Sequence, residues 1–589
     1  MNLITILKQT TATHLLKLYQ VQITPDQVLV NATKPEFEGD YTIVLFAFVK
    51  QLGKSPELVG NELGSAMQKD LPDIITNFNI VKGFLNFTIS NHYWLTYIKN
   101  ADANNLVSPT AKKQKIMVEY SSPNTNKPLH LGHLRNNFLG WSIAEILKVQ
   151  GHEVVKTCIV NDRGIHICKS MIAWQLFANG ATPASTNKKG DHFVGDYYVK
   201  YNDAFKAEVA GLVAGGMTQE LAEKEASIFK AAQEMLLKWE QGDAATLDLW
   251  KKMNEWVYEG FEVTYKKIGS DFFKTYYESN TYLLGKELVE EGLTKKVFYQ
   301  KEDSSVWIDL TADGLDEKIV RRKDGTSVYM TQDIGLAQLK QKEFNNDASI
   351  YVVGDEQNYH FKVLKLICQK LQLPAADGIY HLSYGMVELP TGKMKSREGT
   401  VVDADDLVDA MIAISKEKTE ALGKVSDFTS EQLTALYNTI GLGALKFFLL
   451  RVDPKKKMIF NPEESIDFHG FTGPFIQYTH ARIKSILRKT GVTVAITENE
   501  LLPLEKQLAI ELSTFPAIIN EAAENLDPSK VAIYAFNLAK LFNTFYAELS
   551  IANAESEIKK QVRIQLGILT AATLQKAMSI LGIAVPEQM

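Results

Sequence analysis

Two histidines stand close together in the segment Pro128–His133, whose sequence is Pro-Leu-His-Leu-Gly-His. Imidazole groups can donate hydrogen bonds to phosphate oxygens while negative charge builds up in a transition state. Gly132 lies between His130 and His133 and has no side chain that would block a flat ligand such as adenine. The segment therefore predicts a site that binds the phosphates of a nucleotide, although a match of this length also arises by chance in long chains.

The residues on both sides of this segment predict the elements that position it. Lys115–Ser122 is an apolar run with β-branched and aromatic residues, which is typical of a strand. The residues after His133 predict an amphipathic helix, because apolar side chains recur at helical spacing: Phe138, Leu139, Ile143, Ile146 and Leu147. A helix that begins at the carboxyl end of a parallel strand presents free N–H groups and a partial positive charge, so phosphates bind there.

A second segment, Leu389–Thr400, could supply positive charge to the same nucleotide. It carries three cations and two flanking glycines: Lys393, Lys395, Arg397, Gly392 and Gly399. Glycine at both ends suits a loop that moves, so the cations could close over the β- and γ-phosphates from the side opposite the histidines. Together the two segments predict chemistry at a phosphate that depends on positioning and positive charge.

Both segments resemble the signatures of one enzyme family. Ser121–Asn136 closely resembles the first signature of class I aminoacyl-tRNA synthetases in its arginyl form, and Leu389–Thr400 resembles the second signature, the Lys-Met-Ser-Lys-Ser loop. The resemblance to arginyl-tRNA synthetases spans essentially the whole chain. It implies that L-arginine reacts with ATP to give arginyl-adenylate, and that the arginyl group then passes to the 2′-hydroxyl of the terminal adenosine of tRNA(Arg). It also implies that tRNA is needed for the first step and that Mg²⁺ accompanies ATP through its phosphates.

The resemblance further implies which residues bind ATP and act in catalysis. The catalytic set is His130, His133, Lys127, Lys393 and Lys395. The ATP-binding set is His130, Gly132, His133, Lys393, Met394, Ser396 and Arg397. The chain departs from the common pattern at Ser396, where most class I enzymes carry their second lysine. Arginyl enzymes often lack that lysine, and Lys127, just ahead of the first signature, is the expected main contact of the α-phosphate, with Lys395 as the alternative.

A site that selects arginine needs buried carboxylates, because a guanidinium is planar, always charged and best held by paired hydrogen bonds. The resemblance implies an arginine-binding set of Ser122, Asn124, His133, Glu278, Tyr329, Asp333 and Gln357. Tyr329 and Asp333 are one helical turn apart, so they share a face if a helix begins there. A single acidic residue is more often a surface group, and only its place in a family motif favours Glu278 or Asp333 as a ligand.

The chain divides into three predicted domains: 1–108, 109–425 and 426–589. Residues 1–108 mix helix-like and strand-like segments and resemble the additional α+β domain of the family, which contacts the tRNA elbow; a docking domain without RNA contact is the alternative. Residues 109–425 alternate strands and helices, as a doubly wound, Rossmann-like parallel sheet of an α/β fold requires, with a helical insertion at about 196–266. Further strands are predicted at Val154–Val160, Ser305–Leu310 and Ala348–Val353.

Residues 426–589 predict an all-α region that resembles the anticodon-binding bundle of the family. The resemblance implies a tRNA-binding set of Gln477, Tyr478, Arg482, Tyr546 and Met589. Side chains of these types can stack on or hydrogen-bond to unstacked bases. His480 could equally be a core histidine, and the run Lys455–Lys457 is more often a solvated turn than a phosphate contact. The role of Asn161–Gly164 stays open between a family element and a β-turn.

The composition agrees with a soluble enzyme of several domains. At 589 residues the chain is too long for one core, and its 45% apolar and 23% charged residues are ordinary. No secretory signal is predicted. The three cysteines, Cys158, Cys168 and Cys368, form no close pair, which disfavours disulfides and a zinc site and suits a reducing cytoplasm. We expect a cytoplasmic monomer with no membrane contact and no organic cofactor, which binds tRNA through local basic patches because the net charge is −6.

Three other interpretations are weaker. A small-molecule nucleotidyltransferase uses a similar phosphate site but would have little use for so large a helical C-terminal region. A catalytically inactive, synthetase-like tRNA-binding protein should have lost the basic loop at Lys393–Arg397, which this chain retains. A cysteinyl-tRNA synthetase usually binds zinc through cysteines that this chain lacks. Charging assays with single amino acids would separate these possibilities.

Overall fold

The computed structural model describes residues 3–34, 36–110, 112–390, 402–421, 423, 428–490 and 500–589. Its N-terminal elements are α1 Leu3–Tyr19, β1 Val30–Ala32, β2 Tyr41–Val44, α2 Phe46–Leu52, α3 Pro56–Asp70, β3 Ile75–Val81, β4 Phe84–Ile89 and α4 Asn91–Asn100. The strands form one antiparallel sheet in the order β1-β2-β4-β3. α3 packs against this sheet because Val59, Leu63 and Met67 recur at helical spacing and are buried. The predicted mixture of helices and strands at the N-terminus is confirmed.

The middle of the chain alternates strands with helices. Its elements are β5 Lys115–Glu119, α5 Leu131–Val149, β6 Glu153–Val160, α6 Ile165–Phe177, α7 Pro183–Thr186, α8 Gly190–Ala214, α9 Gln219–Glu225, α10 Ser227–Glu240, α11 Ala244–Ile268, β7 Lys274–Tyr277, α12 Glu278–Thr281, α13 Lys286–Thr294, β8 Tyr299–Gln300, β9 Val306–Ile308, β10 Lys318–Arg321, α14 Tyr329–Phe344, β11 Ala348–Gly354, α15 Asn358–Lys370, β12 Ile379–Tyr384 and β13 Val387–Glu388. From α6 to α11 the described chain is helical, which accounts for the predicted helical insertion.

Five parallel strands form the central sheet in the order β12-β11-β5-β6-β7. Apolar side chains of β5 enter two different cores, Ile116 and Val118 one and Met117 the other, because the sheet is covered on both faces. The chain winds from β5 through β6 to β7 on one side, and β11 and β12 lie on the other side. The carboxyl ends of strands at such a switch point border a crevice that binds ligands. The predicted doubly wound fold is confirmed.

One predicted strand is confirmed as a strand but lies outside the central sheet. The predicted strand Ser305–Leu310 is observed as β9, which belongs to a separate antiparallel sheet in the order β10-β9-β8. Its ends are turns closed by side chains, since the Asp303 carboxylate accepts the N–H of Ser305 and the Asp309 carboxylate accepts the N–H of Thr311. An apolar run alone does not say which sheet a strand joins, so this placement needed the tertiary structure.

The C-terminal part is almost wholly helical, as predicted. Its elements are α16 Ala404–Ala421, α17 Ser430–Leu450, β14 Met458–Ile459, α18 Pro462–Ser465, α19 Gly473–Thr490, α20 Pro503–Asn525, α21 Ser529–Glu548 and α22 Glu557–Ile580. β14 pairs in parallel with β13, so the segment after α17 is tied to the middle of the chain. α17 is long and apolar enough to cross a membrane, yet 67% of its apolar window is buried inside the protein. Its apolar side chains therefore serve as core residues between α16, α19 and α5.

Candidate active site

The histidines of the first signature begin α5 at the carboxyl end of β5. Nδ1 of His130 accepts the N–H of Gly132 at 3.1 Å, and Nδ1 of His133 accepts the N–H of His130 at 3.1 Å. Because Nδ1 is an acceptor in both neutral rings, the hydrogen-bond network assigns the proton to Nε2. Both rings therefore offer an Nε2–H donor, and their centroids lie only 3.9 Å apart.

Both histidines are neutral at physiological pH. Burial, with a smaller contribution from the charge of Lys127, lowers the pKa of His130 to about 3. Burial lowers the pKa of His133 well below its usual value, and His130 and Lys127 act in the same direction. A Cβ at Gly132 would lie 3.0 Å from the ring of His130, so glycine here lets that ring fold against the first turn of α5. The pair is thus fixed as two neutral hydrogen-bond donors beside a lysine.

The second signature lies outside the described residues, and with it the predicted residues Lys393, Met394, Lys395, Ser396 and Arg397. The chain that follows this segment returns to the first signature. The N–H of Ala404 donates to Leu129 O at 2.9 Å, and the N–H of Leu131 donates to Val402 O at 3.4 Å. Between these two hydrogen bonds, the backbones of Asp403 and His130 form an isolated antiparallel β-bridge.

The chain that precedes the second signature is also tied to α5, through Arg135. This arginine is wholly buried and donates to Gly385 O at 2.6 Å and to Met386 O at 3.3 Å. It also donates to Pro454 O at 3.2 Å and Lys456 O at 2.8 Å. Both described flanks of the second signature are therefore fastened to the residues around His130.

A cavity of about 370 Å³, here called the first cavity, opens at the carboxyl ends of β5, β6 and β7 and at the start of α14. Four residues of the predicted arginine-binding set line it: Asn124, Glu278, Tyr329 and Asp333. α14 begins at Tyr329, so Tyr329 and Asp333 share one face of its first turn. Gln332, between them in sequence, also lines the cavity.

Three residues of the predicted set do not line the first cavity. Ser122 and Gln357 are exposed and follow β5 and β11 at the same edge of the sheet, whereas His133 belongs to the histidine pair of α5. Ser121, next to Ser122, is wholly buried with a positive φ of 63°, and its hydroxyl lies 2.7 Å from the hydroxyl of Tyr265. A buried non-glycine residue in this conformation is strained, which is common beside binding sites.

Two carboxylates with different partners face the first cavity. Burial raises the pKa of Glu278 to about 7; the charge of Arg163 opposes this rise, and Asp162 and Asp333 add to it. Asp333 is paired instead, because its Oδ2 lies 2.6 Å from Nε2 of His360. Arg163 lies in the segment Asn161–Gly164, whose role the sequence left open, and His360 was not among the predicted site residues. The cavity thus contains two acidic groups, which suit a cationic side chain, and an adjacent guanidinium, which opposes it.

Asp162 fixes the position of Glu278 through hydrogen bonds to the next residue, Ser279. It is buried, its Oδ1 accepts the N–H of Ser279 at 2.8 Å, and its Oδ2 accepts the hydroxyl of Ser279 at 2.6 Å. Oδ2 also accepts the hydroxyl of Tyr258 from α11 at 2.9 Å. Asn161 and Arg163 line the first cavity on either side of Asp162. The segment 161–164 is therefore part of the site, which the β-turn alternative did not require.

A second group of predicted residues meets in the helical C-terminal part. A cavity of about 690 Å³, here called the C-terminal cavity, is lined by Tyr478, Arg482, Tyr546 and Met589. The guanidinium of Arg482 lies over the ring of Tyr546, 4.9 Å from its centroid. Arg488 and Lys489 line the same cavity and were not predicted. Tyr478 and Tyr546 are half-buried. Aromatic rings that are open to a cavity beside cations suit single-stranded nucleic acid.

Gln477 differs from its prediction as a tRNA contact. Its side chain is wholly buried, and Nε2 donates to Thr439 O at 3.0 Å and to Ala584 O at 2.8 Å. Its amide is thus hydrogen-bonded inside the helical bundle and has no exposed surface with which to contact a ligand. His480 is likewise a core residue, with Nδ1 lying 2.9 Å from Pro586 O, so the alternative interpretation of His480 is the better one.

Three family models match successive parts of the chain. The arginyl-tRNA synthetase N-terminal domain matches residues 4–89, the catalytic domain of class I tRNA synthetases (R) matches residues 98–461, and the DALR anticodon binding domain matches residues 476–589. The catalytic match extends beyond 425, and the exact domain limits stay predictions.

Curated relatives match nearly the whole chain. The arginine–tRNA ligase of Flavobacterium psychrophilum is 50% identical over 583 residues and covers 96% of this chain and 97% of its own. The arginine–tRNA ligase of Bacteroides thetaiotaomicron is 51% identical over 581 residues, with 97% of each chain covered. The solved Thermus thermophilus arginyl-tRNA synthetase has the same fold, with a TM-score of 0.82 at 24% identity over 100% of both chains. These comparisons give no support to a catalytically inactive protein, and they show that the chain belongs to the class I arginyl-tRNA synthetases, the family of arginine–tRNA ligases.

Proposed function

We propose that this chain activates L-arginine with ATP in the space between the histidine pair and the first cavity, and then transfers the arginyl group to tRNA(Arg). One observation carries the proposal: Glu278 and Asp333 line one cavity with Asn124 and Tyr329 at the sheet edge where α5 begins. In the proposed complex the two carboxylates hold the guanidinium of the substrate through paired hydrogen bonds. Lysine, a compact ammonium without that planar fork, gains less from the same groups.

In the first step an oxygen of the arginine carboxylate forms a bond to the α-phosphorus of ATP. The bond from that phosphorus to the bridging oxygen breaks, and pyrophosphate leaves with the electron pair. No bond to the protein forms, so the residues act by position and charge. His130 and His133 donate from Nε2 to the phosphate oxygens, and Gly132 leaves room for adenine. Lys127 is the proposed main contact of the α-phosphate, with Lys395 as the alternative.

The second signature supplies the remaining proposed ATP contacts. These are Lys393, Met394, Ser396 and Arg397, with Lys393 and Arg397 opposing the charge of the leaving pyrophosphate. Their proposed nearness to the histidines is supported by the contacts at both flanks, at Arg135 on one side and Asp403 on the other. Ser122, His133 and Gln357 remain proposed contacts of the substrate carboxylate and amino group outside the first cavity.

Mg²⁺ is proposed to arrive with ATP and to neutralise its phosphates. Within the described ranges, one group of carboxylate and imidazole atoms lies close enough to share an ion: Asp191, His192 and Asp405. The ammonium of Lys189 already fills that position, 3.0 Å from Asp191 and 2.6 Å from Asp405. This cluster is therefore unsuited to a divalent cation, which fits an ion that is held mainly by nucleotide phosphates.

In the second step the 2′-hydroxyl of the terminal adenosine attacks the carbonyl carbon of arginyl-adenylate, and AMP leaves. The proposed anticodon contacts are Tyr478, Arg482, Tyr546 and Met589 around the C-terminal cavity. The N-terminal sheet domain is proposed to contact the tRNA elbow. We further propose that the protein is a cytoplasmic monomer that needs neither zinc, nor an organic cofactor, nor a membrane.

The test is ATP–pyrophosphate exchange measured with arginine, lysine or citrulline, each with and without tRNA(Arg). We expect exchange only with arginine and only when tRNA is present. Glu278→Gln and Asp333→Asn should each lower kcat/KM for arginine by about a hundredfold, because each leaves a buried charge partner unpaired. ATP binding should be unchanged in both variants. Absence of exchange with arginine and tRNA together would contradict the proposal.

A further inference from the structure

A group of charged and polar side chains joins the helical insertion to the chain that follows the second signature. It is here called the anchor cluster, and its six members are Lys189, Asp191, His192, Thr264, Asp403 and Asp405. Three of them stand at the start of α8, one belongs to α11, and two follow the second signature. The side chains of the cluster thus connect two distant parts of the chain without taking part in the proposed reaction steps.

Lys189 lies at the centre of the anchor cluster. Its ammonium donates to Oδ2 of Asp191 at 3.0 Å, to Oδ2 of Asp405 at 2.6 Å and to the hydroxyl of Thr264. Asp191 is wholly buried, and its other oxygen accepts the N–H of His192 at 3.1 Å. Both oxygens of Asp191 are therefore used inside the insertion, and Lys189 extends this bonded group to Asp405.

His192 makes the second connection to the same segment. Its Nε2 lies 3.1 Å from Oδ2 of Asp405 and 3.4 Å from Oδ2 of Asp403. The hydrogen bond to Asp405 raises the pKa of His192, although burial opposes the rise. Burial would raise the pKa of Asp405, but hydrogen bonds from His192 and Lys189 hold that pKa below its usual value. The carboxylate of Asp405 is therefore ionised and held by two donors of the insertion.

The side of the anchor cluster that belongs to the insertion is rigid, because two glycines let α8 and α11 approach each other closely. A Cβ at Gly190 would lie 1.8 Å from Trp256 O, and a Cβ at Gly260 would lie 2.3 Å from Oδ1 of Asp191. A residue with a Cβ would fit at either position only if its neighbours shifted. The donors of the anchor cluster thus extend from a fixed base.

The segment 402–405 is also bonded to the first signature. Its backbone is hydrogen-bonded on both sides of His130, at Leu129 and Leu131. Buried ion pairs add little net stability, because the loss of hydration offsets their attraction. They do fix geometry, since a hydrogen bond is strong only over a narrow range of distance and angle. The anchor cluster is therefore better suited to set the position of this segment than to stabilise the fold.

We propose that Lys189 and His192 are positioning residues for the formation of arginyl-adenylate. By holding Asp405 they keep the segment 402–405 against the first turn of α5, and so they fix the Nε2–H donor of His130 where the phosphates of ATP bind. The inference rests on the proposed function, in which His130 donates to these phosphates. None of the six members of the cluster lines the first cavity, so the affinity for arginine does not depend on them.

The first experiment measures the rate of ATP–pyrophosphate exchange at saturating arginine, ATP and tRNA(Arg). Lys189→Met should lower this rate by about a hundredfold, because a small displacement of a phosphate donor has an effect of that size. Asp405→Asn should lower it by about tenfold, since the amide keeps an acceptor but loses the charge. The KM for ATP should change less than the rate, because the histidines act mainly in the transition state. The dissociation constant of arginine, measured by calorimetry without ATP, should be unchanged in both variants.

Each variant has a matched control outside the anchor cluster. Lys188, the neighbour of Lys189, pairs with Asp196 of α8 at 2.5 Å. Asp409, one turn after Asp405 in α16, pairs with a lysine of α11 at 2.7 Å. Lys188→Met and Asp409→Asn should each change the exchange rate by less than about twofold, because ion pairs with exposed carboxylates contribute little.

Three results would overturn the proposal: unchanged rates in both test variants, an equal fall of the rate in the controls, or an affinity for arginine that falls as much as the rate. The last two would indicate general damage to the fold. Asp405→Asn decides the question if Lys189→Met does not fold, since Lys189 then keeps Asp191 as a partner. Failure of the proposed function would look different, because the unaltered protein itself would show no exchange with arginine and tRNA.

The second experiment tests whether the anchor cluster acts as a unit. Lys189→Met/Asp405→Asn should be no slower in exchange than Lys189→Met alone, because the first change already breaks the contact. Effects that multiply would mean independent roles and would contradict the proposal. His192→Gln keeps a side-chain N–H donor and should retain most of the rate that His192→Ala loses. Equal rates in the two His192 variants would remove His192 from the positioning role.

Discussion

Glu278 has a pKa of about 7, because burial disfavours its carboxylate; the charge of Arg163 opposes this rise, and the carboxylates of Asp162 and Asp333 add to it. In the free protein at neutral pH, part of the population therefore holds this side chain protonated. That proton must leave before the carboxylate can pair with a guanidinium. In the proposed complex, arginine binding and proton release at Glu278 are therefore one coupled event.

The affinity for arginine should therefore depend on pH with a known sign. Above pH 8 Glu278 is ionised before binding and the dissociation constant is flat. Below pH 7 that constant should rise by about tenfold for each pH unit, because the ligand must displace a bound proton. Calorimetry in two buffers of different ionisation enthalpy would also count the released proton.

Glu278→Gln is the matched control for this pH profile. This variant should bind arginine weakly. Its dissociation constant for arginine should not change between pH 6 and pH 8, since the amide does not titrate. A steep profile in this variant would assign the titration to a group other than Glu278.

The predictability of single site residues depended on where their partners lie in the sequence. Asn124, Glu278, Tyr329 and Asp333 stand inside motifs of their own, so each could be named before the structure was known. The burial of Gln477 could not, because its acceptor Ala584 O lies 107 residues away. A polar residue on a helix face is exposed or buried according to such distant acceptors.

At the scale of elements, the carboxylate of Asp162 joins three of them. It follows β6, accepts a hydroxyl from α11, and accepts the N–H and hydroxyl of Ser279 in α12. Glu278, the first residue of α12, therefore keeps its place only while these bonds hold. In the proposed complex, the helical insertion supports arginine binding through the hydrogen bond from Tyr258 to Asp162, although α11 does not line the first cavity.

Replacing Asp162 should raise the KM for arginine more than the KM for ATP. Asp162→Ala leaves buried donors of Ser279 and Tyr258 unpaired, at a cost of about 2 kcal/mol in folding free energy. The KM for arginine should rise by about tenfold while the KM for ATP stays the same. Asp162→Asn retains acceptors and should restore most of the KM, but removal of the negative charge should move the pH profile of arginine binding to lower pH.

Equal rises in both KM values for Asp162→Ala would contradict this role and would indicate general damage to the fold. Urea unfolding followed by circular dichroism would provide the stability comparison. The Asp162→Asn variant keeps the test informative if Asp162→Ala does not fold.

Elements were predictable where local pattern and tertiary role agree. β5, β6 and β11 are apolar runs buried on both faces, and α5 repeats apolar residues at helical spacing, so their types followed from the sequence. β9 has only three residues, and its apolar pattern fits either sheet. The choice between the two sheets is made by the antiparallel strand partners β8 and β10, the latter with a register shift between Ile319 and Arg321.

At the scale of the whole molecule, the C-terminal tail lies along α19. The side chains of Gln477 and His480 contact the backbone carbonyls of Ala584 and Pro586, and Arg488 donates to Glu587 O at 3.1 Å. These contacts bring Met589 to the C-terminal cavity beside Tyr478 and Arg482. The tail thus completes that cavity from the end of the chain.

Deleting Gln588 and Met589 should weaken tRNA binding and leave the affinities for arginine and ATP unchanged. The internal contacts at Gln477 and His480 remain, so the unfolding free energy should not change. The tRNA dissociation constant should rise by about fivefold, the equivalent of about 1 kcal/mol for one lost base contact. Gln477→Ala is the contrasting variant, since two unpaired carbonyls should cost about 2 kcal/mol of stability. Unchanged tRNA affinity in the deletion would remove Met589 from the proposed tRNA surface.

The burial of α17 has a consequence for the synthesis of this chain. α16 precedes α17 and can cover part of it at once, but α19, α21 and α22 leave the ribosome later. Until they arrive, the nascent protein carries a long apolar helix whose composition matches that of a membrane segment. During that interval the uncovered apolar helix is open to aggregation and to mistaken insertion into a bilayer, and completion of the bundle removes that exposure.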